Sequence, residues 1–188
     1  MELHGERVIP ASLEATWAAL NDPETLKACI AGCESLERSD DDAYTAVVAM
    51  KVGPVSARFR GNLKMTHIDA PNGYTIAFDG QGGVAGFGKG SADVRLSAAG
   101  DAATRLVYDA RASVGGKMAQ IGSRLIDAAA RKITDDFFKA FEANLQARQA
   151  AIAGLPVPAP ARVREPAGTL GWVLAAIVVL ATIYLIGH

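Results

Sequence analysis

Two cysteines, Cys29 and Cys33, stand four residues apart, close enough on a helix for two thiolates to share one metal ion. A closed zinc site needs four ligands. The chain has no third cysteine, and its histidines, His4, His67 and His188, are scattered along it. Buried free thiols fit this pattern better than a metal site, and they suit a reducing compartment rather than a disulfide scaffold. Catalytic signatures are equally thin. There is no Gly-x-Ser-x-Gly elbow, no Walker loop and no His-Glu-x-x-His. Asp79, Asp93 and Asp109 fall on the outward side of alternating stretches and form no acid/base pair. The glycine-rich run at 80–90 leads into a strand pattern, so it lacks the helix N-terminus that phosphate binding uses. It reads as a mobile loop, and no enzyme is expected.

The more informative chemistry lies in a lack of bulk. Gly88, Gly90, Ala92, Ala110 and Ala112 share the inward side of two alternating stretches, and they face a helical pattern carrying Gly122, Ala128, Ala129 and Ala130. Interiors normally pack to crystal density, so clustered small residues either let backbones approach closely or leave a void. Both readings stay open at this level. In the void reading, Phe137, Phe138 and Phe141 plug one end, and Tyr108 and Gln120 are candidates for the few polar groups of an apolar pocket.

These residues need elements to position them. Residues 2–10 read as a strand with Leu3, Gly5, Arg7 and Ile9 on one face. Ser12 caps a short helix at 13–20 with Trp17 inward. Asp22 caps a second helix, with Pro23 at its first position, running 24–30 and ending at Gly32. From 34 to 114 strand follows strand. The sharpest is 55–68, where Val55, Ala57, Phe59, Gly61, Leu63 and Met65 alternate with Ser56, Arg58, Arg60, Asn62, Lys64 and Thr66. Short turns between the strands imply an antiparallel meander. After Gly115-Gly116, one long helix is expected over 117–151, its stripe formed by Met118, Ile121, Leu125, Ala129, Ile133, Phe137, Phe141 and Leu145. Steps of four overshoot a turn, so the stripe winds as if to follow a twisted sheet. The expected fold class is α+β, a curved antiparallel sheet gripping a long C-terminal helix.

Residues 169–186 contain no charged side chain and no proline. Wound as a helix they would rise roughly 27 Å, the hydrocarbon thickness of a bilayer. Trp172 and Tyr184 would sit at its two interfaces. The expected organisation is a domain at 1–150, a proline-rich linker at 151–168 and a transmembrane tail anchor at 169–187. Arg162 and Arg164 precede the span, which puts the domain on the cytoplasmic side of the cytoplasmic membrane, as a single-pass protein. The first residues show no secretory signal. With 19 basic and 20 acidic residues and a formal net charge of -1, nucleic-acid binding is not indicated.

Five segments carry a family resemblance: 17–24 (Trp-Ala-Ala-Leu-Asn-Asp-Pro-Glu), 29–34 (Cys-Ile-Ala-Gly-Cys-Glu), 51–55 (Lys-Val-Gly-Pro-Val), 86–90 (Gly-Phe-Gly-Lys-Gly) and 114–124 (Val-Gly-Gly-Lys-Met-Ala-Gln-Ile-Gly-Ser-Arg). Together they resemble the carbon monoxide dehydrogenase CoxG-like family of the START/Bet v 1-like helix-grip (SRPBCC) superfamily, over roughly residues 1–147. The chain departs from that family at Ala31, where proline is usual. The resemblance implies an apolar cavity between sheet and helix, here assigned to Phe59, Leu63, Phe78, Phe87, Ala92, Tyr108, Ala110, Gln120, Ile121 and Leu125. It also implies a molybdenum hydroxylase such as carbon monoxide dehydrogenase as partner. No cofactor is expected to be covalently bound. A quinone or other lipid-like molecule from the membrane is the expected ligand, and a ligand-free scaffold or a cyclase-like enzyme are the alternatives.

Overall fold

The computed structural model describes residues 1–152. Strand β1 (Glu2–Ile9) buries Leu3 and Ile9 and keeps Glu2, His4, Glu6 and Val8 outside. Ser12 then accepts a hydrogen bond from the Ala15 amide at 3.3 Å and starts α1 (Leu13–Leu20). Asp22 accepts from the Glu24 amide at 3.2 Å, with Pro23 at the first helical position of α2 (Pro23–Cys29). These caps satisfy amides that the first helical turn leaves without partners. Gly32 turns the chain with a φ of 76°, and six strands follow: β2 (Cys33–Asp40), β3 (Ala43–Val52), β4 (Val55–Asp69), β5 (Gly73–Gln81), β6 (Phe87–Ala98) and β7 (Thr104–Gly115).

All pairings are antiparallel, in the order β1-β7-β6-β5-β4-β3-β2. The six later strands form the meander, and β1 closes the far edge against β7. Alternation sets which face is covered. On β6, Gly88, Val94 and Leu96 turn in, while Lys89, Ser91, Asp93 and Arg95 stay outside.

The expected single helix is two. Helix α3 (Lys117–Gln120) stops at Ile121, and α4 (Ser123–Ile152) begins after Gly122, whose φ of +91° no right-handed helix can pass through. Helix α4 alone spans roughly 45 Å at the usual rise per residue. Its buried face is Ile126, Ala129, Ala130, Ile133, Thr134, Phe138, Phe141 and Leu145. Its last turns are tied to the helical insertion: Arg148 pairs with Asp22 at 2.9 Å, and Gln149 donates to the Pro10 carbonyl at 3.2 Å.

The core has two halves. One gathers Val48, Phe59, Met65, Tyr74, Met118 and Ile133, with Trp17 packed against it. The other gathers Ile9, Leu20, Leu96, Leu106, Phe138 and Phe141. Inside the second half, Thr16 and Thr104 are fully buried, and Thr104 donates to the Ala11 carbonyl at 2.8 Å. Satisfying those hydroxyls removes a penalty of about 1–3 kcal/mol each. The expected linker and membrane span, with Trp172 and Tyr184, lie outside the described residues. Among the described residues no helix is long and apolar enough to cross a membrane.

Candidate functional site: an apolar cavity between sheet and helix

Between the two halves of the core lies a cavity of about 140 Å³. Its floor is the inward face of the central strands, with Leu63 and Met65 from β4, Tyr74, Ile76 and Phe78 from β5, Ala92 and Val94 from β6, and Leu106, Tyr108 and Ala110 from β7. Ile133, Thr134, Phe137 and Phe138 of α4 form its roof, and Leu20, Leu26, Ile30, Leu36 and Tyr44 close the side of the helical insertion. The wall is almost wholly hydrocarbon. Thr134 satisfies its own hydroxyl by donating to the Ala130 carbonyl at 3.1 Å.

Of the residues assigned to the cavity from sequence, Leu63, Phe78, Ala92, Tyr108 and Ala110 are in this wall. The other five lie elsewhere. Phe59 is buried to 1% but packs at the opposite end of the sheet, over Gly82. Phe87 covers Gly115. Gln120 is exposed on α3, Ile121 is half-buried at the end of α3, and Leu125 is 52% exposed on the first turn of α4. The break at Gly122 explains the last three: the phase that placed Ile121 and Leu125 on the stripe assumed one continuous helix.

The glycines also resolve differently from the void they suggested. Phe78 is the direct cross-strand partner of Gly90, Phe87 of Gly115 and Tyr108 of Gly5. A Cβ on Gly90 would stand 1.9 Å from the Arg111 carbonyl oxygen and 2.5 Å from the Phe78 ring. These glycines are therefore close-approach positions, each lending its side-chain space to a ring on the next strand. The hollow lies under the aromatic half of α4, where Phe137 and Phe138 roof it, and not under the alanine-rich half. The glycine-rich loop forms a 3-10 turn at Gly83–Ala85 that buries Ala85 and exposes Val84, and it adds nothing to the wall.

One side of the wall is a stack. Tyr108 and Phe138 lie with ring centroids 5.6 Å apart, and the Arg7 guanidinium sits 5.6 Å from the Phe138 centroid while pairing with Asp135. Burial pushes the Tyr108 phenol above its ordinary range. Cys29 is buried and Cys33 half-buried, with no metal-ligating cluster among the described residues. Burial pushes the Cys29 thiol up to about 11 and that of Cys33 upward as well.

The family model of the carbon monoxide dehydrogenase component CoxG matches residues 5–146. The chain belongs to the CoxG family. Among solved structures, a conserved protein from Geobacillus kaustophilus is 32% identical, with a TM-score of 0.73 over 78% of this chain and 95% of that one. The Zhui aromatase/cyclase from Streptomyces sp. R1128 is 14% identical, with a TM-score of 0.61 over 82% of this chain and 98% of that one. A START superfamily protein from Mycobacterium smegmatis is 14% identical, with a TM-score of 0.59 over 77% and 97%. The two distant likenesses show the START/Bet v 1-like fold alone. No curated protein matches the sequence. Membership of the CoxG family and this fold point to an accessory, ligand-binding protein.

Proposed function

We propose that this CoxG-family protein is a membrane-tethered carrier. Its domain docks a molybdenum hydroxylase of the carbon monoxide dehydrogenase type, and its cavity holds an apolar redox ligand, a quinone, drawn from the bilayer. The observation that carries the reading is the closed hydrocarbon wall around about 140 Å³. An apolar cavity of that size stays dry and takes up a molecule of about one benzene ring. A quinone head group would occupy it and leave a long tail outside. Such a ring accepts two electrons and two protons, and a soluble hydroxylase oxidising its substrate has two electrons to deposit. The uncharged stretch at 169–186 supports the membrane side of the reading, since quinones reside in lipid.

The test is ligand-dependent stabilisation of the full chain in lipid nanodiscs. A ligand present at a hundred times its Kd raises stability by about 2.7 kcal/mol. Short-tailed quinone should raise the melting temperature of the wild type and not of Ala110→Leu, which fills the cavity. Equal responses of the two proteins, or none, would favour a ligand-free scaffold.

A further inference from the structure

The cavity wall carries four hydroxyl groups, and they are not equally engaged. Tyr44 accepts a hydrogen bond from Arg38 at 2.9 Å and donates to the Asn21 carbonyl at 3.4 Å. Thr134 donates to Ala130. The Tyr108 hydroxyl is turned toward β1, because a Cβ on Gly5 would meet it at 2.3 Å. Tyr74 is different. Only 7% exposed, with its ring set edge-on to Trp17 at 5.5 Å, it makes no hydrogen bond with any described residue. Its oxygen is not sealed in either. The wholly enclosed side-chain atoms without partners, among the described residues, are Arg7 Nε and Asn144 Oδ1. The open space available to Tyr74 is the cavity it lines.

A buried phenol with no acceptor costs about 1–3 kcal/mol, which an acceptor on a ligand would recover. We propose that the Tyr74 hydroxyl donates to the bound ligand, so that the cavity selects a small planar ring bearing an acceptor oxygen, such as a ketone or quinone carbonyl, over the same ring without one. This rests on the cavity being a ligand site and names what orients the ligand there. Burial, with Tyr44 nearby, holds the Tyr74 phenol far above its ordinary range, so it keeps its proton at every pH at which the protein is handled. The hydrocarbon around it supplies no competing donor of equal burial.

The experiment uses acetophenone and α-methylstyrene, two rings of one shape in which a methylene replaces the carbonyl oxygen. Affinities are measured on the full chain in lipid nanodiscs, corrected against empty nanodiscs, for the wild type and Tyr74→Phe. A single hydrogen bond of about 1–1.5 kcal/mol corresponds to about tenfold in affinity. Tyr74→Phe should therefore weaken acetophenone about tenfold and leave α-methylstyrene within about twofold, its binding also reporting that the variant is folded. The carbonyl stretch of bound ¹³C-acetophenone should shift to lower frequency in the wild type and lose that shift in the variant. A parallel change for both rings, or an unshifted carbonyl in the wild type, overturns the assignment of Tyr74 alone. If neither ring binds the wild type, the cavity reading itself fails and takes this one with it.

Discussion

Arg7, on the first strand, pairs with Asp135, on the long helix, and holds its guanidinium over the ring of Phe138. The two charged side chains are 35% and 63% exposed, so solvent screens the pair and it contributes about 0–1 kcal/mol. The ring beneath is buried and supports both the core and the cavity wall. Asp135→Asn should thus cost under about 1 kcal/mol in urea melts, while Phe138→Ala should cost about 3 kcal/mol. Near-equal losses would mean that the ion pair, and not the ring, joins α4 to the sheet.

Gly90 opposite Phe78 makes a second prediction. Adding one methyl group there collides with backbone as well as with the ring, and the Arg111 carbonyl cannot move without breaking the β6–β7 ladder. Gly90→Ala should destabilise by about 1–3 kcal/mol, the usual cost of overpacking. A double variant, Gly90→Ala with Phe78→Leu, relieves the ring clash but not the backbone clash and should recover only part of the loss. Full recovery would show that the ring alone requires the glycine.

The thiols should react in a fixed order. With its thiol near 11, Cys29 is about one part in a thousand thiolate at pH 8, and it is only 4% exposed. Cys33 is half-buried and reaches solvent more readily. Iodoacetamide labelling followed by mass spectrometry should modify Cys33 first, Cys29 only slowly, and both together in urea. Rapid native labelling of Cys29 would contradict the packing described.

Asp22 ties stability to acid. It caps α2, accepts from Thr25, and pairs with Arg148, and its carboxyl lies below its ordinary value of 3.8, with the Thr25 hydrogen bond the largest cause. A depressed folded value means that the contribution is complete above the unfolded value and disappears as pH falls through the folded one. Asp22→Ala should lose about 1 kcal/mol at pH 7. The gap between variant and wild type should close below pH 3.8, and a gap that persisted there would assign the effect to helix propensity instead.

Much of this architecture is legible in the chain because the signals are local and repeated. The alternation of Val55 to Met65, the Ser12 cap and the Asp22-Pro23 pair each state their own geometry, and strand, insertion and meander follow from them. What is hidden depends on partners distant in sequence. Nothing beside Gly90 announces that Phe78 lies across from it, so glycines that make room for rings read as glycines that make a hole. Gly122 looks like one more small residue in a helix, yet its positive φ resets the phase and expels Leu125 from the inner face. Tyr74 appears only as the first aromatic after a hairpin turn. Its importance comes from the hydrogen bonds its neighbours make and it does not.

The long helix is fastened unevenly. Arg148 and Gln149 moor its final turns to Asp22 and Pro10, whereas its first turn follows the left-handed Gly122 and leaves Leu125 to solvent. In mechanical terms, a pull on the chain beyond residue 152 is borne by the moorings at the helical insertion. Phe138 lies roughly 15 Å further along the rod and is shielded from that load. Slack gathers instead at the Gly122 end, so amide exchange should be fastest there, and a tether on the loaded end can draw the domain about without prising the rings off the cavity.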